Sequence, residues 1–152
     1  MKPFRFRLET VLALRTREED RVREEFAGAL RNQSAAATAL ATGNSELEAC
    51  HESLASRRAE KTNRTEQLLL LSALQQQKSN CERLVARCAA TDREVAARRA
   101  DLLIVRRKRE ALTRLREHQR AAHLLEQDRQ QEAQIADIIS ARHVLRMQEA
   151  QS

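Results

Sequence analysis

Aromatic residues are nearly missing from this chain. It has three Phe and no Trp or Tyr among 152 residues, too few for the core of an ordinary globular domain of that length. Turn formers are as scarce, with two Gly and one Pro, and the Pro stands at position 3. Sheets and hairpins need β-branched and aromatic residues broken by Gly, Pro and Asn, so strand-based folds are excluded. The longest apolar run, Leu68 to Leu71, is far too short to cross a bilayer, so no transmembrane segment is expected. The first residues carry Lys2, Arg5 and Arg7 but no continuous apolar stretch, which argues against a signal peptide. Three Cys (Cys50, Cys81, Cys88) are an odd number without framework spacing, as expected of a reducing, cytoplasmic compartment.

What fills the chain is Ala, Leu, Arg, Glu and Gln, with one third of the residues charged: the composition of long helices and coiled coils. The net charge is +6, and it is local. Arg98 to Arg116 holds eight Lys or Arg and two Asp or Glu, while the rest balances. Such a stretch suits an acidic protein face, an anionic membrane surface or nucleic acid. It has no aromatic beside it for base stacking and no nucleic-acid-binding motif around it, so a solvated face or protein binding is the better reading.

Apolar and small residues recur at alternating steps of three and four in the second half: Leu74, Gln77, Cys81, Leu84, Cys88, Thr91, Val95, Arg98, Leu102, Val105, Arg109, Leu112. This 3.5-residue period is the seam of a left-handed coiled coil. In the first half the bulkiest residues give Phe4, Leu8, Val11, Arg15, Glu18, Val22, Phe26, Leu30, Gln33, Ala37, Leu40, Asn44, Leu47, His51 and Leu54. Three successive steps of four from Glu18 to Leu30 predict a stutter there. The polar stretch from Ser56 to Thr65 is the best turn, with Asn63 as N-cap and Glu66 completing a capping box; Gly43-Asn44 is a second turn candidate. The expected fold is all-α: one coiled-coil domain over 1–152, an antiparallel two-helix hairpin with helix one about 8–60, a turn about 61–64 and helix two about 64–146. At ~1.5 Å per residue its arm is roughly 80–90 Å long. If the turn centres on Asn63, opposed residue numbers add to about 126, and everything after Ala122 has no partner within the chain. That tail still carries Leu124, Leu125, Ile135, Ile138, Ile139, Val144 and Leu145, so an external partner is expected.

No catalytic constellation, phosphate loop or metal-ligand spacing is present, so neither an enzyme nor a cofactor is expected. The thiols read as seam residues, and the four His are scattered. Two features read either as packing within the hairpin, a helix end on the returning helix and a broader local core near the turn, or as surfaces for another protein. Phe4 and Phe6 alternate with Arg5 and Arg7 ahead of Leu8, Val11 and Leu12, and aromatics with Arg are the usual interface anchors. Leu68 to Leu71 with Leu74 puts apolar side chains all round one helix, more than a two-stranded seam can cover.

The opening KPFRFRLETVLALRTREEDRVREEFAGAL resembles the start of the FliJ family of the flagellar type III export apparatus, through Phe4, Phe6, Leu8, Glu9, Leu12 and Arg15 and the charged run from Glu18. Arg107, Lys108, Glu110, Leu112, Leu115, Arg116, Arg129 and Gln134-Ile135-Ala136-Asp137 look alike further on. The resemblance implies a non-catalytic two-helix stalk like that of rotary ATPases. Its implied partners are the hexameric flagellar export ATPase, the membrane export-gate protein and export chaperones. Carried over, ATPase-facing positions are Phe4, Phe6, Leu8, Leu12, Arg15, Arg107, Lys108, Leu112, Leu115 and Arg129, and gate-facing positions are Leu68, Leu71 and Leu74. The implied place is cytoplasmic, peripheral to the inner membrane at the flagellar base. The equivalent stalk of a virulence-type secretion system, and a basic coiled-coil binder of nucleic acid or anionic membrane, stand as alternatives.

Overall fold

A computed structural model describes residues 3–59 and 63–149. Two helices account for nearly all of them: α1 from Glu9 to Ala59 and α2 from Arg64 to Glu149. They pack against each other as a helical hairpin, with no strand among the described residues. Pro3 to Phe6 precede α1 without regular structure. Their backbone leads into the helix through a Glu9 N–H bond to the Phe6 carbonyl (3.3 Å) and a Leu12 N–H bond to the Leu8 carbonyl (2.8 Å). Between the helices, Lys61 and Thr62 of the expected turn lie outside the described residues, as does Glu60. Asn63 is non-helical, and its carbonyl accepts the Gln67 N–H at 3.2 Å. Glu66 does not reach back to close a capping box. Its carboxylate is drawn instead to Arg57 on α1, at 3.4 Å. Gly43-Asn44 is not a turn, because α1 runs straight through it.

Every buried position of α2 falls on the series read from the sequence: Leu74, Cys81, Thr91 and Val105. On α1 the structure corrects the reading. Its buried residues lie on the series Leu12, Arg15, Glu19, Val22, Phe26, Ala29, Gln33, Ala36, Leu40, Gly43, Leu47, Cys50, Leu54, with half-buried side chains at the intervening steps. These steps alternate three and four throughout, so the expected stutter is absent. The seam takes Leu12 rather than Val11, Glu19 rather than Glu18, Ala29 rather than Leu30, Ala36 rather than Ala37, Gly43 rather than Asn44, and Cys50 rather than His51. At Ala29, Gly43 and Cys50 the physical reason is size. Ala29, Ala36, Gly43 and Cys50 recur every seven residues and alternate with Phe26, Gln33, Leu40, Leu47 and Leu54. The small side chains make room for α2, so the bulkier neighbours point away. Ala36 is 1% exposed, while Leu30 is 41% exposed.

The contacts gather into two units, Glu18–Val105, and Met1–Arg17 with Arg106–Ser152. Within the first, the helices are joined across the seam by polar pairs. Gln33 donates to Asp92 at 2.7 Å, Arg98 pairs with Glu25 at 2.9 Å, and Gln77 donates to the Gly43 carbonyl (3.2 Å) and to Glu46 (2.8 Å). Within the second, Arg116 pairs with Glu9 at 3.4 Å. Most of these pairs are antiparallel and close to the expected register. Each exposed ion pair contributes only about 0.2–1 kcal/mol. Their larger effect is on register, because a shift of one heptad step would leave every one unmatched. Along the helices, Glu19 holds Arg23 at 2.7 Å as the spacing predicts, but Glu110 pairs backwards with Arg106 (2.9 Å) rather than with Arg114.

The two glycines of α1 separate propensity from packing. A methyl at Gly28 would have no neighbour closer than the Arg31 guanidinium at 3.7 Å, whereas at Gly43 it would come within 2.7 Å of a Leu84 methyl and 3.6 Å of the Cys81 sulfur. Gly28→Ala should therefore stabilise the fold by about 1 kcal/mol through helix propensity alone. Gly43→Leu should destabilise it by about 1–3 kcal/mol through overpacking. Thermal melts followed by circular dichroism will show shifts of opposite sign; shifts of the same sign would contradict the seam described.

Candidate functional site

Among the described residues no group of His, Cys, Asp and Glu could hold a metal ion. Cys50, Cys81 and Cys88 are free thiols, with Cys81 buried in the seam. Surfaces are what the fold offers, and three stretches stand out.

The first lies where the start of the chain meets α2. The Phe4 ring packs at 59° on the His123 imidazole, 5.7 Å between centroids. Phe6 is 8% exposed and Leu12 is buried likewise, so both are packing residues in this state. Arg15 and Leu112 are half-buried, and Arg15 is engaged by other groups of the chain. Phe4, Phe6, Glu9, Arg116 and Arg120 line a shallow cleft. Leu8, Leu115, Arg107, Lys108 and Arg129 are exposed. Lys108 and Leu115 are seven apart and share one face of α2, while Arg107 and Arg114, also seven apart, share the adjoining one. The ten carried-over positions thus divide into a packed set and an outward set. Val11, named both in the seam and in the outward group, is exposed, and so is Leu14 at 61%, which sequence reading missed. The true α1 seam would have found them, since Leu12 and Arg15 facing inward leave Val11 and Leu14 outside.

The second stretch follows the turn. Leu74 is buried in the seam, whereas Leu71 is exposed and Leu68 is 60% exposed. Leu70 is half-buried and Leu69 is exposed. The three gate-facing positions are therefore not one surface: Leu68 and Leu71, three residues apart, share an open face, and Leu74 anchors the hairpin.

The third is α2 beyond His123. From Leu124 to Met147 every side chain except Gln127 is exposed, including all seven apolar residues named from the sequence. Nothing in the described chain covers them.

The family model described as Flagellar FliJ protein matches residues 4–149. The chain belongs to the FliJ family. Membership makes it a component related to flagellar protein export, and the helical hairpin spans the matched residues. No curated protein and no solved structure matches. Among the described residues of this FliJ-family chain no helix is long and apolar enough to cross a membrane.

The basic stretch of α2 is partly neutralised from within. Arg98 is held by Glu25, Arg106 by Glu110, Arg116 by Glu9, and Arg109 has a partner of its own. Arg99, Arg107, Lys108 and Arg114 remain as exposed cations without an ion pair.

Packing and outward residues should separate cleanly by stability. Phe6→Ala and Leu12→Ala should each destabilise the protein by about 2–4 kcal/mol. Leu68→Ala, Lys108→Ala and Leu115→Ala should stay within about 0.5 kcal/mol of the parent. Urea denaturation measures both. A cost for Leu115→Ala equal to that for Leu12→Ala would contradict the assignment.

Proposed function

We propose that this chain is the non-catalytic stalk of the flagellar export apparatus. It binds the hexameric export ATPase, links it to the membrane export gate, and escorts export chaperones, at the cytoplasmic face of the inner membrane. The observation that carries this reading is a family match over residues 4–149. Physical support comes from the distribution of outward residues. Leu8, Val11, Leu14 and Leu115 with Arg107, Lys108 and Arg114 give an apolar and basic surface suited to an acidic-rimmed ring. Each large side chain here keeps about 40–60% of its surface in water, and burying a Leu fully is worth roughly 1.5–3 kcal/mol. Phe4, Phe6, Leu12, Arg15 and Leu112 act behind that surface by holding the end of the chain on α2, and Arg129 extends it. Leu68 and Leu71 are the gate-facing pair, presented by Leu74.

The test is direct. Mixed with the cognate ATPase, the chain should form a complex and raise ATP turnover while showing none alone. Arg107→Glu combined with Lys108→Glu should weaken that complex by about tenfold or more with helix content unchanged. Leu68→Asp with Leu71→Asp should spare the ATPase and weaken binding to the cytoplasmic part of the gate. Absence of both complex and rate change would sink the proposal. Binding to DNA or anionic vesicles that falls steeply with salt would instead favour a polyanion partner for the same four cations.

A further inference from the structure

We propose that α2 beyond His123 is a self-association element, packing antiparallel on the same stretch of a second copy of this chain. The apolar residues there are not scattered. Leu124, Ile135, Ile138 and Leu145 fall on the series 124, 128, 131, 135, 138, 142, 145, whose steps alternate four and three, and Ile139 widens the stripe beside Ile138. Ile135, Ile138 and Ile139 are 56%, 54% and 62% exposed, as bare as side chains of a lone helix. Isoleucine is a mediocre helix former, and a helix without tertiary contacts is marginal in water, so this stretch gains its stability by covering the stripe.

Charge selects what covers it. Residues 124–147 hold four acids and three bases, so the tail is nearly neutral and an anionic membrane or nucleic acid gains nothing from it. The charges are sorted along the helix instead. Glu126, Asp128 and Glu132 outnumber Arg129 in the first part, for a net −2, and Arg142 and Arg146 outnumber Asp137 in the later part, for a net +1. None of Asp128, Glu132, Arg142 and Arg146 makes an ion pair among the described residues. In an antiparallel pair centred between Ile135 and Ile138, the isoleucines of the two copies meet at the two-fold axis. Arg142 of one copy then comes beside Asp128 and Glu132 of the other, and Arg146 comes between Glu126 and Asp128. Two-fold symmetry makes each match twice. A parallel pair sets Arg142 on Arg142 and Asp128 on Asp128, which repel. The stripe is thus complementary to its own reverse.

Sedimentation velocity of the full chain, from about 5 to about 500 μM, tests this, with equilibrium constants extracted in the usual way. The expected result is a monomer–dimer equilibrium within that range. Glu132→Arg and Arg142→Glu should each weaken it by about tenfold or more, since the first places two pairs of like charges together and the second four. The Glu132→Arg/Arg142→Glu double variant should return to within about threefold of the parent. That rescue separates a lost contact from a tail that has simply frayed. A chain that stays monomeric, a dimer indifferent to both reversals, or a double variant weaker than either single one overturns the proposal. So does a monomer whose Glu132→Arg variant loses the export ATPase instead, because the stripe would then belong to that partner.

Discussion

Everything in this fold depends on how closely two helices can approach along one line. Ala29, Ala36, Gly43 and Cys50 take the α1 seam every seven residues, and larger residues fill the alternate steps. Small residues bury little area themselves, but they let the backbone of α2 come near enough for Leu84 and Cys81 to reach the α1 backbone at Gly43. With no Trp or Tyr to fill a wider gap, this interdigitation is the available way to bury apolar surface. It explains why a chain with so low a mean hydropathy, −0.66, forms a persistent hairpin. Polar residues at the seam add specificity. Gln33 with Asp92, Arg98 with Glu25 and Gln77 with Gly43 and Glu46 match only in one antiparallel alignment.

The same constraint decides what the protein can do. A two-helix seam has an inside about one side chain wide, so the side chains off the seam stay exposed. The polar residues inside it are committed as well. Glu19 is 3% exposed and is held by Arg23, which keeps its charge compensated rather than available for chemistry. Leu8, Val11, Leu14 and Leu115 are exposed with Arg107, Lys108 and Arg114, as are Leu68 and Leu71. The proposed function assigns these outward residues to partners and the buried ones to holding the hairpin.

The hairpin and the α2 seam were legible in the sequence because Leu74, Cys81, Leu84, Val95, Leu102 and Val105 fall on one series of alternating steps of three and four. The α1 seam was not, because there the signal is inverted. Leu30 outweighs Ala29 on any hydrophobicity scale, yet the position that approaches α2 requires the smaller residue. Following bulk slipped the reading by one residue at Leu30, Asn44 and His51, while Val11, Glu18 and Ala37 are no bulkier than Leu12, Glu19 and Ala36, and bulk does not account for those three; together they produced a stutter that does not exist. Val11 was placed both in the seam and in the outward group at the start of the chain, and Leu14 was passed over. Phe6 and Leu12 pack the hairpin, one of the two readings the sequence offered for them, and Leu74 is buried as its place in the α2 series leads one to expect. Glu66 could be placed at the start of α2 from its spacing, but its attraction to Arg57 depends on which residues the turn brings together, and spacing along one helix carries no such information.

The most direct test of the account is the distance between Gln33 on α1 and Asp92 on α2, whose side chains are hydrogen-bonded at 2.7 Å. With Cys50, Cys81 and Cys88 replaced by Ala and spin labels introduced at 33 and 92, double electron–electron resonance or continuous-wave line broadening reads that separation in solution. A narrow distribution centred at about 10–20 Å is predicted, since paired seam helices lie roughly 8–10 Å apart. A mean approaching ~90 Å, the span of 59 residues of unbroken helix at ~1.5 Å each, or a broad featureless distribution, would contradict it.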